Sequence, residues 1–224
     1  MEEQKALEEL RRDESSRGAF LKMVGGAGAA GALGIFLAAC GDDDKEDEAA
    51  QTSEEKKPAA DSNKGDAAIV NYALTLEYLE ADFYKQVIAS GEITDKKIVE
   101  AAKLIYQNEQ EHVEALRGTA EMLGGEVAKA PKTKFDDVLA GGPDMILETA
   151  ATVENLGAAA YLGQADKITS KEILAAALSI HTVEGRHAAA LNTLVGKSIV
   201  PDGAFARPAS MDEVLKSVQP FIVS

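Results

Sequence analysis

Glu109-Gln110-Glu111-His112 and Glu184-Gly185-Arg186-His187 decide how this chain is read. Each is a Glu-x-x-His pair inside a long stretch of helical periodicity. Residues three apart on a helix point to the same side, so each pair aims a carboxylate and an imidazole at one point. One such pair in an acidic helix is a common accident. Two pairs on different helices, using two of the chain's three histidines, are not.

Each pair has a partner glutamate on the preceding helix-patterned segment. Glu77 precedes Glu109 by 32 residues, and Glu154 precedes Glu184 by 30. A tyrosine follows each lone glutamate by seven residues, Tyr84 after Glu77 and Tyr161 after Glu154. Seven residues is about two helical turns, so each Glu and Tyr share a face. Both halves therefore read Glu, Tyr, then Glu-x-x-His. Two Glu-x-x-His pairs plus one Glu from each of two other helices form the ligand set of a dinuclear metal site in a four-helix bundle. The expected arrangement puts Glu77 and His112 on one metal and Glu154 and His187 on the other, with Glu109 and Glu184 bridging. Carboxylates and imidazoles with open positions suit iron or manganese, so the expected cofactor is two Fe or Mn ions. Tyr84 and Tyr161 are expected to hydrogen-bond the carboxylates from outside the ligand set. Glu80 rivals Glu77 from a nearby face, and Glu77 is preferred because Tyr84 lies two turns on. His181, three residues before Glu184, is expected to pack beside the site.

Apolar periodicity predicts the four helices. The first runs from about Asp66 to Ser90, with Leu74, Leu76, Leu79, Phe83 and Val87 on a wide apolar face. Gly91 ends it. The second starts at Thr94 as N-cap and carries Ile98, Ile105 and His112, each seven apart, to Gly124. The stretch from Gly124 to Gly142, with Pro131 and an apolar patch at Phe135 to Leu139, is long for a connection in a compact domain. It reads as a crossover between two helical hairpins. The third helix starts at Pro143 and the fourth after Ser170, ending at Gly196. A short helix from Ser210 to Val218 is expected to pack across the bundle. The fold class is thus all-α, spanning 67–200, with a tail over 201–224.

The N-terminal segment reads differently. Met23 to Ala39 is apolar, rich in Gly and Ala, and too short and glycine-rich for a comfortable spanning helix. Residues 1–39 fit a signal peptide. Leu37-Ala38-Ala39-Cys40-Gly41 resembles the lipobox of bacterial lipoproteins, which implies cleavage before Cys40 and its acylation. Ser16-Arg17-Gly18-Ala19-Phe20-Leu21-Lys22 is similar to a twin-arginine export signal with Gly18 in place of the second arginine, so both twin-arginine and general secretion stay open. Residues 40–66 are acidic and poor in large apolar side chains, which predicts a flexible tether. The expected location is extracytoplasmic, held to a membrane through lipid on Cys40.

The chain has 224 residues and a formal net charge of -15. That charge argues against nucleic acid as a partner and against adhesion to an anionic membrane surface. The single cysteine excludes an intrachain disulfide. A homodimer is compatible with the pattern and not required by it.

The motif carries a family resemblance. Leu76-Glu77 with Tyr84, and Glu109 to Leu116, resemble the first and second helices of ferritins and rubrerythrins. Ala73 to Glu80, Glu184 to Ala190 and the tail Phe205 to Phe221 are similar to the ferritin-like domain family that includes plant desiccation-related proteins and many bacterial exported proteins. The resemblance covers Ala67 to the C-terminus. It implies the ferritin-like bundle and the dinuclear site. On activity it is unspecific, because ferritins, rubrerythrins and manganese catalases share the motif. Rubredoxin-type cysteines are missing, which excludes a rubrerythrin-like electron chain within this chain. Two functions follow as expectations. One is redox chemistry on a small-molecule oxidant (peroxide or oxygen) or on ferrous iron. The other is non-enzymatic protection of the envelope during stress or drying, with metal only bracing the bundle. A closed storage cage is disfavoured, since nothing marks cage interfaces and a lipid tether would hinder assembly.

Overall fold

A computed structural model describes residues 60–223. The signal peptide over 1–39, the lipid site at Cys40 and most of the tether lie outside the described residues. Among the described residues the chain forms six α-helices: α1 (Ala60–Ser90), α2 (Lys96–Met122), α3 (Asp136–Ala140), α4 (Gly142–Gln164), α5 (Lys171–Leu194) and α6 (Met211–Val218). Short 3-10 turns follow α4 at Ala165–Lys167 and α6 at Gln219–Phe221. No described helix is long and apolar enough to cross a membrane.

α1 packs chiefly on α2, and α4 on α5. These two hairpins form the bundle, and residues 123–141 cross between them, carrying α3. The early turns of α1 meet the late turns of α2 and α4 and the early turns of α5. The helix ends follow local chemistry. Asp95, not Thr94, is the N-cap of α2, accepting from Lys97 N at 2.8 Å and Ile98 N at 3.1 Å. Either residue type can cap, and sequence does not choose between neighbours. Ser170 caps α5 through Ile173 N, and Ser210 forms a capping box with Glu213 on α6. Gly91 and Gly196 follow the hairpin helices at φ 69° and 70°, a conformation that strains side-chain-bearing residues.

α1 begins at Ala60, so residues 60–66 are helical rather than part of a spacer. The segment lacks an apolar stripe, so periodicity could not extend the helix that far. Asp66 is buried and accepts from Thr169 N at 2.8 Å and Ser170 N at 2.9 Å. It thereby ties α1 to the α4–α5 turn. Leaving those two donors unmatched would cost about 1–3 kcal/mol each.

The crossover is held from both sides. Asn71 donates to Glu126 O and accepts from Ala128 N. Phe135 is buried between Phe83 and Phe221, with ring centroids at 4.9 and 5.2 Å. Two backbone bonds, Lys134 N to Phe221 O at 2.9 Å and Val223 N to Lys132 O at 2.8 Å, pair the crossover with the C-terminal tail. α6 lies across the bundle, with Val214 and Val218 buried against Leu79, Glu80, Val153 and Gly157. The tail reaches α6 directly over α4, where Ala209 N donates to Ala159 O. A Cβ at Gly163 would collide with the Ala209 backbone, so only glycine permits that crossing.

Candidate metal centre

The four long helices bring an acidic cluster into the middle of an apolar bundle. Glu77, Glu109, Glu154 and Glu184 are fully buried, Glu80 nearly so, and His112 and His187 close the cluster. Burying a carboxylate without compensation is expensive. If all seven groups were ionised, negative charges would exceed positive ones by three.

Donor atoms meet in two overlapping quartets. Glu77, Glu109, His112 and Glu184 form one, and Glu109, Glu154, Glu184 and His187 the other, with all donors of a quartet within 4.8 Å of one another. Glu109 and Glu184 belong to both. His112 Nδ1 lies 3.2 Å from Glu77 Oε2, 3.1 Å from Glu109 Oε2 and 3.1 Å from Glu184 Oε1. His187 Nδ1 lies 3.0 Å from Glu109 Oε1 and 3.2 Å from Glu154 Oε2. One ring nitrogen carries at most one hydrogen, so it cannot serve three carboxylates. The surplus shows as poorly satisfied oxygens. Glu109 Oε1 and both oxygens of Glu184 are buried without a well-directed hydrogen bond, although an imidazole Nδ1 lies 3.0 Å from Glu109 Oε1 and 3.1 Å from Glu184 Oε1. Buried oxygens in this state are rare and call for an explanation. Donors bound to one cation at about 2.1 Å sit about 3.0 Å apart when at right angles, which is the spacing found here. The residues therefore fit a metal, and the poorly satisfied oxygens fall on the two glutamates common to both quartets.

The electrostatics of the protein cluster by itself show the same strain. Burial pushes the Glu109 carboxyl up to about 7, helped by the Glu154 charge and opposed by bonds to both histidines. Burial and neighbouring carboxylates hold Glu184 and Glu80 well above the ordinary range. Burial also opposes ionisation of Glu77, but the charge on His112 and hydrogen bonds from His112, Glu109 and Tyr161 outweigh it and hold Glu77 low. Burial opposes charge on the rings as well. Glu77 and the bonds to Glu109 and Glu184 nonetheless keep His112 well above the imidazole range, and bonds to Glu109 and Glu154 raise His187 to about 10.

The tyrosines do bond carboxylates, but across the bundle. Tyr84 Oη donates to Glu154 Oε1 at 2.6 Å, and Tyr161 Oη donates to Glu77 Oε1 at 2.5 Å. Each tyrosine shares a face with the glutamate of its own helix and yet bonds the glutamate of the other hairpin. Helix side chains lean toward the N-terminus, so a tyrosine two turns beyond a glutamate reaches back to that level and meets the facing helix. Burial, with the neighbouring carboxylates, pushes both phenols well up and keeps them neutral donors.

Glu80 stands outside both quartets. It leans toward Gly157, where an added Cβ would lie 2.8 Å from Glu80 Oε1 and 3.2 Å from Glu184 Oε2. His181 bonds through Nδ1 to Ala158 O at 3.0 Å, so it packs on α4 rather than joining the cluster. Sequence reading missed Asn108, whose Oδ1 lies 3.3 Å from His187 Nε2 and orients that ring. Its position next to Glu109 was the available signal, but the ring it reaches lies on another hairpin.

With this geometry in view, the family follows. The ferritin-like domain family matches residues 65–197, and the chain belongs to it. Among curated proteins, none matches the sequence.

Proposed function

We propose that the cluster holds two cations, iron or manganese, and that the protein uses them in redox chemistry on peroxide, oxygen or ferrous iron. The poorly satisfied buried oxygens of Glu109 and Glu184, two glutamates shared between the two quartets, carry this reading. Glu77 and His112 would complete one position, Glu154 and His187 the other. Charge balance supports two divalent ions. Four ionised ligand carboxylates offset two such cations when both imidazoles are neutral, leaving Glu80 protonated in the dry core. When bound, the metal pair would exchange electrons with a small oxidant.

The chain's own residues do the rest. Tyr84 and Tyr161 fix the outer oxygens of Glu154 and Glu77, so the inner oxygens face the centre. Asn108 sets the rotation of His187 and leaves its Nδ1 toward the cluster. α6 closes the flank over Glu80 and Gly157 and excludes water there.

The proposal includes export and a lipid anchor on Cys40, supported by the lipobox-like Leu37 to Gly41. Metal-loaded protein should consume peroxide or oxidise ferrous iron. Loaded protein inert in both assays would remove the redox reading and leave metal as a brace. Labelling with a fatty-acid analogue should mark the wild-type chain and not Cys40→Ala. Equal labelling would remove the anchor.

A further inference from the structure

One end of the bundle is filled and the other is hollow. Where α1 carries Phe83 before Tyr84, α4 carries Ala160 before Tyr161. Phe83 packs edge-on against Phe135 in the filled end. At the other end a cavity remains, lined by Tyr72, Leu76, Ala160, Tyr161, Gln164 and Ala176 among others. It offers about 30 Å³ to the centres of water-sized molecules, and one water needs roughly 10–15 Å³ on that measure. The space thus suits about two small heavy atoms.

The lining is mostly apolar; of its polar side chains Thr119 donates to Ala115 O and Tyr161 to Glu77, while two polar atoms lack partners. Tyr72 Oη and Gln164 Nε2 are buried without a hydrogen bond, in residues 7 % and 3 % exposed. The repeat does not carry this pair in its other half. Thr149, a smaller and only half-buried residue, lies five before Glu154 as Tyr72 does before Glu77. Val87, which is apolar, lies three after Tyr84 as Gln164 does after Tyr161. An unmatched buried polar group costs about 1–3 kcal/mol, so two in one small cavity point to a ligand. Tyr161 joins the cavity to the cluster, because it lines the one and its hydroxyl bonds Glu77 in the other.

We infer that this cavity binds hydrogen peroxide next to the Glu77 side of the centre, with Gln164 Nε2 donating to one oxygen and Tyr72 Oη bonding the other. The inference rests on the redox reading above for its role, but not for the binding itself. A ferrous ion is excluded by the apolar lining, which cannot replace its hydration shell. Dioxygen fits the volume but leaves both polar groups poorly matched. Burial and the nearby Glu80 keep the Tyr72 phenol neutral.

The test uses crystals of the protein with and without zinc, a redox-inert ion, soaked in hydrogen peroxide. The inference expects elongated two-atom density between Tyr72 and Gln164 in both, and its loss in Ala160→Phe, which rebuilds the filled end. Separate waters or an unfilled cavity in soaked wild-type crystals would overturn it. Peroxide in the cavity with no zinc at the cluster would uphold the cavity and overturn the metal reading, so the two failures are distinct. Tyr72→Phe and Gln164→Leu, milder changes, supply a second readout. In iron- or manganese-loaded protein each should raise KM for peroxide about tenfold, equivalent to about 1.4 kcal/mol, with kcat, metal content and ferrous-iron oxidation unchanged. An unchanged KM in both variants would also overturn the inference.

Discussion

The α1–α2 hairpin and the α4–α5 hairpin carry the same donors in different surroundings. Glu77, Tyr84, Glu109 and His112 correspond to Glu154, Tyr161, Glu184 and His187. Besides Tyr72 and Gln164, three neighbouring positions break the repeat. Glu80, one turn after Glu77, faces a bundle in which the corresponding residue is Gly157. Asn108, just before Glu109, holds His187, whereas the residue before Glu184 is Val183, which has no polar group to offer the other ring. Phe83 fills one end and Ala160 leaves the other hollow. The repeat supplies a symmetric donor set, and its exceptions give the two quartets unequal surroundings. The asymmetry is coordinated: the glycine in one half makes the room that the extra carboxylate of the other half occupies.

The largest effect should come from the residues common to both halves. Glu109→Gln with Glu184→Gln should abolish metal binding and yet raise the stability of the metal-free chain by about 1–4 kcal/mol, because two buried acids that repel their neighbours are removed and each amide can donate to a neighbouring carboxylate. Urea titration of metal-free protein checks this, and a loss of stability would break the account of a strained acidic cluster. Next in size, Asn108→Ala should weaken one cation position about 10–100-fold while Val183→Ala changes neither. A two-step metal titration by calorimetry would show it, and equal weakening of both steps would erase the proposed inequality. Gly157→Ala should weaken metal binding by about tenfold, or about 1.4 kcal/mol, by pressing Glu80 against Glu184. Glu80→Ala in the same chain should restore it, since the crowded oxygen is then gone.

The last check is a slope with pH, spread over several units. In the fold Glu109 is raised from 4.5 to about 7 and His187 from 6.5 to about 10. A group raised in the fold stabilises it below its unfolded value, and that contribution is lost as pH climbs through the folded value. Stability of the metal-free protein should therefore fall from about pH 4.5 to about 10. Glu77, held low, acts in the opposite direction at the acid end. Metal binding needs ionised carboxylates and neutral imidazoles, so affinity should rise over the same range. Unfolding midpoints and metal titrations at several pH values should give slopes of opposite sign, and parallel slopes would contradict the shared cluster.

The donor set was legible in sequence because its spacing is local. A Glu-x-x-His pair needs only helical periodicity to define its direction, and the hairpin order follows from Gly91, Ser170 and the long stretch between them. What depended on register between helices was hidden. The crossed tyrosine bonds, the reach of Asn108 to His187 and the clamp of Asp66 on the α4–α5 turn all join residues far apart in the chain. The hollow end was half-visible, since laying Phe83 beside Ala160 reveals the missing ring, but only packing shows that nothing replaces it. The early start of α1 carried no apolar signal at all.

The most direct test of the central claim is metal content, by elemental analysis of protein expressed in iron- and manganese-replete medium, beside Glu109→Ala with Glu184→Ala. The account predicts about two metal ions per wild-type chain and almost none in the variant. A small metal content unchanged by the two substitutions would contradict it, and would leave a helical bundle whose buried acids serve some other purpose.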